Sequence, residues 1–227
     1  MRLRMIILGL ALLATPAVAD MRADCAQDSD HALRIKGCSA ALASGKWPGR
    51  QGIWALNNRG LAYVAQGMLD KAIADYDKAL ELDPNHTTVL DNRGNAHALK
   101  GNLDRALADH NKAIKADPKN ANAYNNRAAD YMDMRELERA LPDLDRAIEL
   151  NGDYGDAFKN RAQVRCYLEM ADGAERDWLE ALRTGRVSEA GLQRDLQKAG
   201  HYSGEIDGNF GSGSRAALSA WVADGCR

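Results

Sequence analysis

Past residue 19 the chain has no apolar run long enough to cross a bilayer, which takes about 20 apolar residues. The longest apolar stretch, Met5–Ala14, follows Met1-Arg2-Leu3-Arg4 and leads into Thr15-Pro16-Ala17-Val18-Ala19. At half the length of a membrane span, it reads as a secretory signal peptide over residues 1–19, cut after Ala19. The expected product is periplasmic or secreted, without a transmembrane anchor once the leader is removed. No cysteine follows the small residues directly, which argues against lipid attachment there.

An excess of positive charge is also missing. The sequence holds 30 basic and 32 acidic residues, and Arg2 and Arg4 leave with the leader, so 28 against 32 gives −4. That balance excludes a nucleic acid or an anionic membrane surface as the evident partner. There is no CxxC pair and no histidine at ligand spacing, so no metal site is assigned. No HExxH, nucleophile elbow, P-loop or dinucleotide fingerprint occurs. Gly211-Ser212-Gly213-Ser214 lacks the lysine that would meet phosphates. Carboxylates are plentiful, yet no pair stands out for glycan cleavage. The sequence therefore assigns no catalytic residue, no metal ligand and no cofactor.

What is present is a 34-residue period. Gly60, Gly94, Ala128 and Ala162 fall in step, as do Ala72, Ala106, Ala140 and Ala174, and then Ala79, Ala113, Ala147 and Ala181. The same step carries Tyr76, His110, Leu144 and Trp178, and Pro84 and Pro118 close two copies. Such a period marks a helical solenoid, whose units bury their apolar faces only by stacking. The copies run Ile53–His86, Thr87–Asn120, Ala121–Tyr154 and Gly155 to about Ser188, each read as two antiparallel helices. Asp70, Asp104, Glu138 and Asp172 sit just before the second helix, where side chains can accept from unpaired amides. Pro142 should shift or bend one turn of its helix. His97 and His110 occupy large-residue registers and read as packed seam residues.

Three polar ladders share the period. Arg59, Arg93, Arg127 and Arg161 recur with Asp75, Asp109, Asp143 and Asp177, which suggests ion pairs within a unit or between neighbours. Asn58, Asn92, Asn126 and Asn160 form the third. An amide offers donors and an acceptor together, so it can grip an extended backbone or stitch adjacent helices. Asn57, Asp91, Asn125 and Lys159 stand beside that row and should face the same groove.

The pattern Gly60, Tyr63, Ala72, Tyr76, Ala79, Pro84 resembles the tetratricopeptide repeat. The match weakens in the third copy, where Gly152 replaces proline, and in the fourth, where Arg165 takes the aromatic register. The resemblance implies an all-α solenoid over residues 53–186 with the asparagine row on its concave face. That row is similar to the asparagine ladder of the O-GlcNAc transferase repeats, which holds a peptide backbone. Asp30-His31-Ala32-Leu33 echoes Asp70-Lys71-Ala72-Ile73, so residues 20–52 read as a degenerate cap unit.

The period stops near Gly185, and a second pattern follows in residues 187–227: Leu192-Gln193, Leu196, Gly200, Tyr202, Asp207-Gly208, Phe210-Gly211, Ala217-Leu218 and Trp221. Gly200 should end one helix, and Ser212 or Ser214 should cap the next. The stretch resembles a three-helix peptidoglycan-binding domain, with Leu192, Gln193, Tyr202, Asp207, Gly208, Phe210 and Gly211 in its signature positions. It departs in having Trp221-Val222 where phenylalanine-glutamine is usual, and it lacks the customary final helix. Docking on the last repeat would cover the surface thus exposed.

Four cysteines allow three pairings. Cys25 and Cys38 are 13 apart, which suits two antiparallel helices, and this leaves Cys166 for Cys226. Together these features predict an exported, non-enzymatic adaptor that binds a protein or peptide of the cell envelope in its groove. The alternatives are a module that binds peptidoglycan and a wall-acting hydrolase.

Overall fold

The computed structural model describes residues 18–227. The expected leader, residues 1–19, lies outside them except for Val18 and Ala19. The described residues form twelve α-helices and no strand. Helices α1 (Val18–Cys25) and α2 (His31–Ala43) make an N-terminal hairpin, followed by a 3-10 turn at Gly49–Gly52. Four hairpins then repeat: α3 (Ile53–Ala65) with α4 (Leu69–Leu82), and α5 (Thr87–Leu99) with α6 (Leu103–Ala116). They continue as α7 (Ala121–Asp133) with α8 (Leu137–Leu150), and α9 (Gly155–Tyr167) with α10 (Ala171–Arg183). The chain closes with α11 (Glu189–Lys198) and α12 (Ser212–Ala223).

Each of the four repeated hairpins turns on one residue in the left-handed region. Gly67 and Gly101 do so at φ 71° and 76°, and Arg135 and Glu169 hold the same register at 62° and 58°. The last two bear a strain of roughly 1–2 kcal/mol that glycine avoids. The acids expected to cap the second helices do not. Those helices start one residue earlier, at Leu69, Leu103, Leu137 and Ala171, and their N-cap positions make no side-chain bond. Asp70, Asp104, Glu138 and Asp172 lie in the first turn, where their charge still favours the helix dipole. Helix α8 runs on through Pro142, which sits in its second turn.

The repeating alanines are fully buried, as are Tyr76, His110 and Leu144. Gly60 permits this close approach: a Cβ there would come within 2.4 Å of Tyr76 Cε1. Gly94 stands in the same relation to His110 Nε2, at 2.5 Å.

Both ends of the stack are covalently closed, by Cys25 with Cys38 and by Cys166 with Cys226, whose Cα atoms are 4.5 and 5.5 Å apart. Met21, Cys25, Cys38 and Ala41 pack with Ala55 of α3. At the other end Leu192, Leu196, Phe210, Leu218 and Val222 share one core with Ala162, Ala174 and Trp178. Trp221 meets Trp178 at 5.5 Å between ring centroids, and Ser219 Oγ donates to Glu175 at 2.8 Å. Helix α12 thus docks on α10. Its N-cap is Gly211, so neither Ser212 nor Ser214 caps it.

Candidate functional site

The first helices of successive hairpins touch one another, α3 with α5, α5 with α7 and α7 with α9. Because they approach more closely than the second helices do, the stack curves and they line its inner wall. Two of the polar ladders lock this curvature in place.

Each arginine of the ladder clasps two hairpins. Arg93 donates from Nε and Nη2 to both oxygens of Asp109 at 2.8 and 2.6 Å, and from Nη1 to Asp77 of the preceding hairpin at 2.6 Å. Arg127 holds Asp143 and Asn111 in the same way, and Arg161 holds Asp177 and Asp145. Arg59 pairs with Asp75 and reaches Ser39 of α2. The carboxylate bond holds Arg93 more firmly charged than usual despite burial. The expected pairing of the two ladders is therefore present within each unit, and the bonds between units go to other residues. The partners in the preceding hairpin, Asp77, Asn111 and Asp145, went unnoticed, although they too recur every 34 residues.

The asparagine row also spans hairpins. Asn92 Nδ2 donates to Asn57 Oδ1 at 2.8 Å, Asn126 to Asp91 at 3.0 Å, and Asn160 to Asn125 at 3.0 Å. Stitching and gripping are compatible, because each amide carries two hydrogens and an acceptor oxygen and the stitch uses one hydrogen. These asparagines stay half-buried on the wall. Asn58 makes no side-chain hydrogen bond among the described residues. Beside it a cavity of 420 Å³ is lined by Arg50, Ile53, Trp54, Asn57, Asn58 and His86, among others.

Beneath the wall lies a buried ionisable cluster. His110 Nδ1 is 2.6 Å from Asp130 Oδ2, and its Nε2 is 3.7 Å from Asp91 Oδ1. Burial raises both carboxylates above their ordinary range, more than Asn126 and His110 lower Asp91, or His110 lowers Asp130. For His110 burial works downward, but the Asp130 bond and the two negative charges outweigh it, and its proton is held more tightly than usual. Near Asp91, burial pushes the Tyr154 hydroxyl up to about 12. Asp130 was not singled out in the sequence, because it departs from the repeat rather than following it.

In the C-terminal unit the motif residues mostly build the interior. Leu192 and Gln193 are fully buried and Phe210 nearly so. Gln193 sits at the centre of the glycine-rich loop, its Oε1 accepting from Gly208 N at 3.0 Å. Its Nε2 lies 2.9 Å from Asp207 Oδ1, 3.1 Å from Asn209 O and 3.1 Å from Ser214 Oγ. The Gln193 bond, with one from Asn209 N, holds the Asp207 carboxyl below its usual range. Of the expected motif, Asp207 and Gly211 are exposed, while Tyr202 and Gly208 are partly so.

Family profiles described as tetratricopeptide repeat match residues 53–86 and 121–154, and one described as TPR repeat matches residues 94–134. Among solved structures, the first TPR of Spaghetti (RPAP3), bound to the HSP90 peptide SRMEEVD, is 27% identical with a TM-score of 0.51. That alignment covers 55% of this chain and 98% of the other. A tetratricopeptide repeat protein from Parabacteroides merdae is 20% identical with a TM-score of 0.64, covering 79% of this chain and 70% of that one. A thermophilic TPR protein in Thermus thermophilus is 19% identical with a TM-score of 0.59, over 68% and 82%. Against the curated proteins, no sequence matches significantly. Residues 53–86 and 94–154 of this chain thus match tetratricopeptide repeats, and the chain shares the stacked-hairpin fold of these proteins.

Proposed function

We propose that the chain is a non-enzymatic adaptor whose inner groove takes an extended segment of a partner protein in the cell envelope. The observation that carries this reading is the asparagine row, which keeps hydrogen-bonding capacity after joining the hairpins. Backbone groups of an extended peptide match such amides without regard to side chains. The 27% identical relative solved with a bound peptide supports the same use of the groove. The signal-like leader and two closed cysteine pairs support an oxidising compartment outside the cytoplasm.

Peptides selected from a displayed random library against the immobilised protein test this. Changing Asn92 and Asn126 to alanine should weaken a selected peptide at least ten-fold while leaving helicity intact. Unchanged affinity would leave the row with a structural role alone. The peptidoglycan-binding reading rests on the exposed part of the loop around Asp207, and pelleting with purified sacculi separates it from the adaptor. Release of muropeptides on incubation would overturn the non-enzymatic reading.

A further inference from the structure

Three residues break the repeat pattern, and all three meet at one place. His110 stands where other copies carry Tyr76, Leu144 and Trp178, and Asp130 where they carry Ala62, Ala96 and Val164. Asp91 stands in the row of Asn57, Asn125 and Lys159. Packing alone does not call for them, since the third copy fills the His110 position with leucine and the first two fill the Asp130 position with alanine. Yet His110 is 0% exposed, Asp130 2% and Asp91 9%; the imidazole of α6 bonds Asp130 of α7 through Nδ1, and its Nε2, which has no hydrogen-bond partner, faces Asp91 of α5 at 3.7 Å.

The charges facing this imidazole are Asp91 from α5 and Asp130 from α7. Asp133 acts on Asp130, and the Tyr154 hydroxyl lies within reach of Asp91's charge. On its own helix, Asp109 is taken by Arg93. With both carboxylates ionised, the cluster carries one net negative charge when His110 is protonated and two when it is not. Burial penalises the second state more heavily. Neutral imidazole can moreover donate to only one carboxylate, and Asp91 is the acceptor of the Asn126 rung.

We propose that Asp91, His110 and Asp130 form a proton-binding joint between the second and third repeats that makes the Asp91–Asn126 rung of the groove respond to pH. That the rung serves a ligand rests on the peptide-binding reading; the joint itself is measured on the protein alone. All three groups hold protons more tightly in the folded chain than their ordinary values would allow. The stability that His110 contributes is therefore complete below about 6.5, the ordinary histidine value. It is lost as pH rises through the higher folded value. The three groups titrate as one unit.

The test combines side-chain NMR of the full chain with denaturant unfolding between pH 5.5 and 8.5. The His110 ring should titrate with a midpoint above 6.5, and the Asn126 amide resonances should shift with the same midpoint. The unfolding constant should rise with pH by up to ten-fold per unit, the limit for one proton. In the double variant His110→Leu with Asp130→Ala, which installs residues of the other copies, that slope should disappear above pH 6.5. A His110 midpoint at or below 6.5, an Asn126 amide that stays still, or equal slopes in the two proteins would each overturn the proposal. Because no peptide enters these measurements, they fail or succeed independently of the groove's ligand.

Discussion

Replacing Arg93 by leucine should be worse than replacing Asp109, and replacing both should be milder than the arginine change alone. Without Arg93, the Asp109 carboxylate loses two charge-assisted bonds at 2.6 and 2.8 Å while its side chain is only 8% exposed. Breaking a buried pair from one side costs about 3–5 kcal/mol. Arg93 itself is 23% exposed, so water softens the loss, and the lower end of about 3 kcal/mol applies. Without Asp109, the guanidinium keeps Asp77, and the cost should be about 1–2 kcal/mol. With both gone, no buried charge is stranded and leucine packs in their place, for a net loss of about 1–2 kcal/mol. At about 2–4 °C per kcal/mol for a chain of this size, Arg93→Leu lowers the melting temperature by roughly 6–12 °C. Circular-dichroism melts and urea titrations of the four proteins complete a double-mutant cycle. Losses that add within about 0.5 kcal/mol would refute the pairing argument.

The seam offers a further pair of changes. Gly60→Ala places a methyl carbon 2.4 Å from the Tyr76 ring and should cost about 1–3 kcal/mol in urea titrations. Adding Tyr76→Leu should recover much of it, because the third copy pairs Ala128 with Leu144. In the C-terminal unit, Gln193→Leu strands the Gly208 N–H and the loop acceptors. Hydrogen exchange should then show lost protection over residues 202–211, while α3 to α8 keep theirs.

The hairpins were legible because each stands on a run of small residues repeated without interruption. Gly60, Ala72 and Ala79 mark contacts that only short side chains allow, and such constraints leave a visible period. The docking of the last unit was legible for a different reason: Cys166 and Cys226 needed each other, and a short linker left nowhere else to go. Helix starts were less so, since Asp70 and Asp104 satisfy the dipole from inside the first turn as well as from a cap. The second partner of each arginine was missed because only the Asp75, Asp109, Asp143 and Asp177 row was matched to the arginines, whereas Asp77 of the preceding unit serves Arg93. The ionisable cluster was hidden by the same regularity that revealed the fold. Asp130 looks like noise in an alanine register until its neighbour across the joint is known. Gln193 had the opposite fate, singled out as part of a ligand motif and found buried as the scaffold of its loop.

Stacks of this kind ordinarily come apart from their tips, where a unit has a neighbour on one side only. Here a sulfur bridge closes the N-terminal hairpin on itself, Cys25 to Cys38, while at the other tip Cys166 to Cys226 ties the last unit to the fourth repeat. With the second bridge intact, the last unit stays tethered to α9 however far its other contacts loosen.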